Sequence, residues 1–171
     1  MNKIKSKNRS SVRPSRKAAV KCFIPDKVEW VDLGLPSGHL WANENAEGLY
    51  TYDEAMEVFG EYLPKGVAMV ELIEECQVEW NKQKKGLDIT GPNGNKLFLP
   101  AAGFRDLDGD LINVGCDGNY WTSMPYAHSE WFAPYSQTNA RSLYFYSGRV
   151  GLLDYNRRAY GFSVRPSREL N

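Results

Sequence analysis

The chain contains only two histidines and three cysteines in 171 residues, and both scarcities exclude chemistry. His39 and His128 are far apart, and no G-x-S-x-G, H-E-x-x-H or glycine-rich phosphate loop accompanies them. The usual acid-base, nucleophilic and phosphate-binding machineries lack their parts, so the chain is expected not to be an enzyme. Cys22, Cys76 and Cys116 are odd in number, widely spaced and without a C-x-x-C pair. Neither a disulfide framework nor a zinc site is signalled, and reduced thiols are expected. Nothing approaches the roughly 18 consecutive apolar residues of a membrane helix, and the amino-terminal stretch lacks the apolar segment of a signal peptide. The expectation is no membrane insertion and a chain that is cytoplasmic as synthesised.

Acidic residues are missing from residues 1–21, which carry eight Lys or Arg, leaving 13 basic and 21 acidic residues in the rest of a chain whose formal net charge is zero. A basic, solvated tail over residues 1–24 is expected, followed by one domain over residues 25–171. A tail of this kind could touch nucleic acid, but the acidic body gives no reason to read a nucleic-acid protein.

Aromatics are plentiful at 13%, with ten Tyr and five Trp, which suggests strands or a binding face. "VEWVDLGLPSGHLWA" reads as two short strands around a tight turn. Thr51 and Glu54 have capping-box spacing ahead of Ala55, Val58, Phe59 and Tyr62, which predicts a helix of about three turns. A second helix is expected from about Val67 to Cys76, its start weakened by Gly66. From Val78 the period changes to alternation, with "LDIT" and "KLFLPA" joined by "GPNGN" as a hairpin. The last third shows only short runs, "NYWTS", "RSLYFYS", "RVGLL" and "YGFSVR", between turn residues. Two helices early and small antiparallel sheets with long loops define an α+β domain.

Two segments carry candidate sites. Asp106, Asp108, Asp110 and Asp117 fall at positions 1, 3, 5 and 12 of a calcium loop, yet Leu111 occupies the position where the sharp turn wants Gly, so an acidic turn is the preferred reading. The segment "SMPYAHSEWFAPYSQTNA" concentrates Tyr126, His128, Trp131, Phe132 and Tyr135 among small polar residues, the mixture used by recognition loops. The hexapeptide "SVRPSR" also occurs twice, at residues 11–16 and 163–168, with unrelated flanks. It is therefore no solenoid repeat. The second copy reads as a closing strand in which Val164 points inward and pairing ends at Pro166.

The phrases "VDLGLPSGHLWA", "LIEECQVEW", "GPNGNKLFLPAAGFRD", "NVGCDGNYWTS", "LYFYSGRV" and "YGFSVRP", in this order, resemble the bacterial major-paralogous-domain family. That family is similar to C-type lectins and to the formylglycine-generating enzyme fold. The resemblance spans about Val28 to Pro166. It implies a C-type-lectin-like fold whose first and last strands pair, bringing "VEWVDLG" beside "GFSVRP", and a ligand face formed by the last third.

Some members of that family are variable proteins of diversity-generating retroelements, in which adenine positions of a C-terminal cassette are rewritten. The stretch "RVGLLDYNRRAY" stands where relatives read as Asn-rich. The implied binding face is Tyr126, His128, Trp131, Phe132, Tyr135, Arg149, Leu152, Asp154, Tyr155 and Arg157, with Tyr144, Phe145, Phe162 and Val164 holding the sheet. The partner would be a protein or cell-surface ligand, with display on a phage particle or a cell surface. An undiversified glycan-binding or structural adhesin module is the alternative. The sugar-binding triplets of animal lectins and the copper-site cysteine pair of the enzyme are absent, so neither activity carries over, and no cofactor beyond the candidate calcium is expected.

Overall fold

A computed structural model describes residues 23–125 and 137–170. The expected aromatic loop residues Tyr126, His128, Trp131, Phe132 and Tyr135 lie outside the described residues, as does residues 11–16 of the tail. The chain runs as a hairpin, two helices, a meander, a small hairpin and a long three-stranded sheet.

Strands β1 (Trp30–Asp32) and β2 (Leu40–Ala42) pair antiparallel, with Val31 opposite Trp41. Helix α1 (Tyr52–Phe59) begins at the capping box: Thr51 Oγ1 accepts from the Glu54 amide at 3.3 Å, and Glu54 Oε2 accepts from the Thr51 amide at 2.9 Å. Two otherwise orphaned donors are satisfied reciprocally, which fixes the helix start. Helix α2 (Gly66–Glu74) starts at Gly66 itself, and ends two residues short of Cys76. Leu153 and Met124 explain the glycine, because a Cβ there would sit 3.2 Å from each of their side chains.

Strands β3 (Gln77–Asn81), β4 (Gly86–Thr90) and β5 (Lys96–Pro100) form an antiparallel meander, and β6 (Phe104–Arg105) pairs with β7 (Leu111–Ile112). Strands β8 (Gly118–Pro125), β9 (Asn139–Tyr146) and β10 (Arg149–Arg157) form the largest sheet, with β9 central. The class expected from the sequence, α+β with two early helices and small antiparallel sheets, is what is found.

The β8–β10 sheet separates two cores. Tyr120, Leu143 and Phe145 face a larger one made with Leu33, Trp41, Met69, Leu72, Ile89 and Leu99. Trp121 and Ala140, on the opposite face, join Tyr52, Ala55, Phe59, Leu63, Phe162 and Val164. Strand alternation alone produces this division, since neighbouring residues point to opposite faces. Gly118 belongs to the same plan: a Cβ there would fall 2.0 Å from the Phe145 ring, so only glycine lets that ring lie flat against the strand.

Two expectations about the chain ends need correction. The last strand, β11 (Ser167–Arg168), does share a sheet with β1, but the order is β1-β2-β11, so it pairs with β2 and not with "VEWVDLG". The β1–β2 hairpin already occupies one side of β2, which leaves the other edge for the returning chain. Pairing also begins after Pro166 rather than ending there. "GFSVR" runs instead through single bridges, Phe162 to Tyr50, Gly161 to Arg105 and Ser163 to Tyr120. Just before Pro25, the Phe23 ring lies 5.3 Å from Phe59 and 5.2 Å from Tyr62.

Arg165 ties these parts together. It is 1% exposed, and its guanidinium donates to Asn45 Oδ1 at 2.8 Å, Ala42 O at 3.0 Å and Phe98 O at 2.5 Å. One side chain thereby links β2, the loop after it, β5 and the closing segment.

Candidate functional site

The site sits on the outer part of the β8–β10 sheet, on the face that carries Trp121. Tyr144 of β9 lies there opposite Asn119 of β8 and Gly151 of β10. Pairing on β10 then slips between Gly151 and Asp154, so that Leu152 and Leu153 bulge out against Leu143. Leu153 takes a φ of 52°, a left-handed conformation that costs a non-glycine residue about 1 kcal/mol.

The bulge has a directional consequence. In regular alternation Asp154 would share the core-facing side with Val150; one extra residue turns it onto the face of Tyr144. Gly151 leaves room for it, since a Cβ at that position would come within 2.8 Å of Asp154 Oδ2. Asp154, Arg149, Asn156 and the backbone of this strand thus border one hollow of about 500 Å³.

The opposite wall is aromatic. Phe104 and Tyr160 pack with ring centroids 5.5 Å apart, and Phe162 backs them. Asp117 completes the rim, its carboxylate held by the Asn113 side-chain amide at 2.7 Å. Tyr144 stands among these charges: loss of solvent pushes its hydroxyl pKa up, Asp117 and Asp154 add to the rise, and Arg149 opposes it.

Asn119 lines the hollow and is 4% exposed. Its Nδ2 is buried without a hydrogen-bond partner. Buried amide donors are almost always paired, because an unmade bond costs about 1–3 kcal/mol. By contrast Asn156 is engaged, donating to Ser142 Oγ at 3.0 Å.

The structure divides the β10 residues expected at the binding face. Arg149, Asp154 and Tyr155 border the hollow. Leu152 does not; it is half-buried and packs against the larger core, on the far side of the bulge. Arg157 is exposed at the end of the strand opposite Asn139, away from the hollow. Tyr155 is 58% exposed with the Arg141 guanidinium 6.0 Å from its ring centroid. Tyr144, expected to hold the sheet, instead contributes to the hollow, whereas Phe145, Phe162 and Val164 are buried as expected. Sequence reading missed Asn119 and Tyr160 and offered Asp117 only as a position of the calcium-like loop. "CDGNYW" did carry a signal for one of them, a polar Asn flanked by residues that alternate into a sheet.

The Asp106 loop is a tight acidic turn. Asp106 Oδ1 accepts the amides of Asp108 at 3.0 Å and Asp110 at 2.9 Å, so one oxygen of this carboxylate is engaged by its own backbone. Among the described residues no group of three or more His, Cys, Asp and Glu is placed to hold a metal. A second hollow, of about 470 Å³, lies between the closing segment and the end of α1, beside His39 and the Lys65–Glu169 ion pair of 2.7 Å. His39 on its wall is engaged through Nδ1 with Ser37 Oγ at 3.0 Å.

No protein-family model, curated protein or solved structure matches the chain. Among the described residues no helix is long and apolar enough to cross a membrane.

Proposed function

We propose that this chain is a non-enzymatic ligand-binding protein with a C-type-lectin-like fold, of the kind diversified by retroelements, and that it recognises a protein or cell-surface ligand through its last third. The observation that carries this reading is the convergence of Arg149, Asp154 and Tyr155 with Tyr144 around one hollow. Arg149, Asp154 and Tyr155 sit on β10, which pairs with β9, and β9 and β8 are anchored by both cores. Side chains on such a strand can change without unfolding the domain, because the energy of folding resides in Tyr120, Trp121, Leu143 and Phe145 beneath them.

Two measurements test it. Sequencing the locus should find a near-identical second copy of the codons for about residues 120–165, differing mainly at adenines and next to a reverse-transcriptase gene; a locus without such a copy refutes diversification. Replacing Arg149 and Tyr155 together with alanine should abolish capture of ligand from a panel of purified surface proteins and glycans, with the melting temperature nearly unchanged. Capture that survives the double substitution places the ligand face elsewhere.

A further inference from the structure

We infer that the hollow beside β10 takes the cationic end of a lysine or arginine side chain carried by a protein ligand, with Asp154 as its counter-charge and Phe104, Tyr144 and Tyr160 as its aromatic lining. The inference rests on the reading that this hollow is the ligand site and adds the chemistry of what enters it.

Asp154 is the starting point. The bulge turns it onto the face of Tyr144, and Gly151 leaves room there for its carboxylate. The residue is half-buried, yet among the described residues this carboxylate has neither a hydrogen bond nor an ion pair. A carboxylate partly withdrawn from water is stabilised by a donor or a positive charge, and here that group must come from outside. Asp117 borders the same hollow, also half-buried, with one oxygen taken by the Asn113 amide. Arg149 is exposed, so the two carboxylates are less screened by water than the single guanidinium that opposes them. The raised pKa of Tyr144, to which Asp117 and Asp154 both contribute, agrees with a negative field inside the hollow. At longer range the chain beyond residue 21 carries 21 acidic and 13 basic residues, which also draws cations towards it.

The aromatic lining decides which cation fits. Phe104 and Tyr160 form a wall with centroids 5.5 Å apart, and Tyr144 stands on the sheet face opposite Asn119. Ring faces attract an ammonium or guanidinium, and they also cover the apolar stem of a long side chain. A bare metal ion gains nothing from those rings, and among the described residues no three His, Cys, Asp or Glu gather to ligate one. An anion is repelled by both carboxylates, and a neutral donor would satisfy Asp154 without using the field around it. A volume of about 500 Å³ admits a long side chain with part of the backbone that bears it. The exposed Arg149 then meets an acceptor beside the cation on the same ligand, so its loss also weakens capture.

The test immobilises peptides of one neutral sequence with Lys, Arg, norleucine or Glu at the centre, and probes them with the full chain beside the panel of purified surface proteins. Retention of the Lys peptide, the Arg peptide or both is expected, weakened by added salt, with the norleucine and Glu peptides passing through. In titration calorimetry Asp154→Asn should weaken the retained peptide roughly tenfold or more, because a charge-assisted bond is lost. General attraction to an acidic body would change far less on losing one charge of many. Since the Asp154 carboxylate makes no bond within the protein, the variant should melt within a few degrees of the parent; should it unfold, Asp117→Asn decides the question. Butylammonium chloride that displaces the peptide at equal concentration marks a free-amine site and overturns the assignment to a protein side chain. Equal retention of the norleucine peptide, preference for the Glu peptide, or binding indifferent to both substitutions also overturns the inference. Capture of surface proteins without any basic peptide overturns it and leaves the ligand-binding reading standing. If neither peptides nor surface proteins and glycans are retained, the ligand-binding reading falls with it.

Discussion

Replacing Arg165 with methionine asks whether a buried guanidinium without a carboxylate partner stabilises the fold that surrounds it. The side chain donates to Asn45 Oδ1, Ala42 O and Phe98 O, and methionine would keep most of its apolar stem while removing all three donors. Each acceptor left unpaired in the interior costs about 1–3 kcal/mol. Against this, the substitution relieves the desolvation of a charge, a burden evident in the Arg165 pKa, which burial lowers from 12.5 to about 10, with Tyr120 opposing the fall. Buried charges are often worth less than their contacts suggest for this reason. The balance is a loss of about 2–4 kcal/mol. For a domain of this size each kcal/mol moves the melting temperature by about 2–4 °C, so a fall of about 6–12 °C is expected for a mid-range loss of about 3 kcal/mol. Calorimetric melts and urea titrations at pH 7 measure it. A methionine variant as stable as the parent would refute the reasoning, by showing that desolvation cancels all three bonds and that the link between β2, β5 and the closing segment is held by packing alone.

Further outcomes follow from the titratable groups of the core. Burial pushes the Tyr120 hydroxyl pKa from 10.0 to about 12, with Arg165, Asn45 and Ser163 pulling it back. The folded state therefore keeps a proton that the unfolded chain releases. The resulting stability is fully present below pH 10 and is lost as pH rises through 12, on the order of 2–3 kcal/mol in total. Tyr120→Phe should cost about 1 kcal/mol at pH 7, where its hydroxyl donates to Pro100 O at 2.6 Å, and should flatten the alkaline decline; an unchanged slope counts against the assignment. The Cys76 thiol pKa is raised from 9.0 to about 11 by burial and then by Glu71 and Glu75, while Cys116 is exposed. Iodoacetamide at pH 8 should label Cys116 within minutes and Cys76 only on unfolding, read by peptide mass; equal rates would show that the α2 end opens readily.

Local signals were legible wherever neighbours in sequence are also neighbours in space. The Thr51–Glu54 capping box, the alternation of "KLFLP" and the apolar spacing of both helices specify elements whose hydrogen bonds close within a few residues. The direction of side chains on β10 was not legible. "RVGLLDYNR" reads as a simple alternation, and only the bulge at Leu152 and Leu153, set by pairing against β9 and packing on Gly66, turns Asp154 to the hollow and Leu152 to the core.

The same holds for the two copies of "SVRPSR". Their sequence is identical, yet the role of the second comes from its surroundings: Arg165 enters the interior only because Ala42, Asn45 and Phe98, far apart in the chain, present oxygens at one point. The sequence by itself determined the α+β class of the fold and where its aromatic and charged residues concentrate. Tertiary structure decided which of them meet, because a hollow formed by Asn119, Tyr144, Asp154 and Tyr160 depends on contacts between strands that no local period encodes.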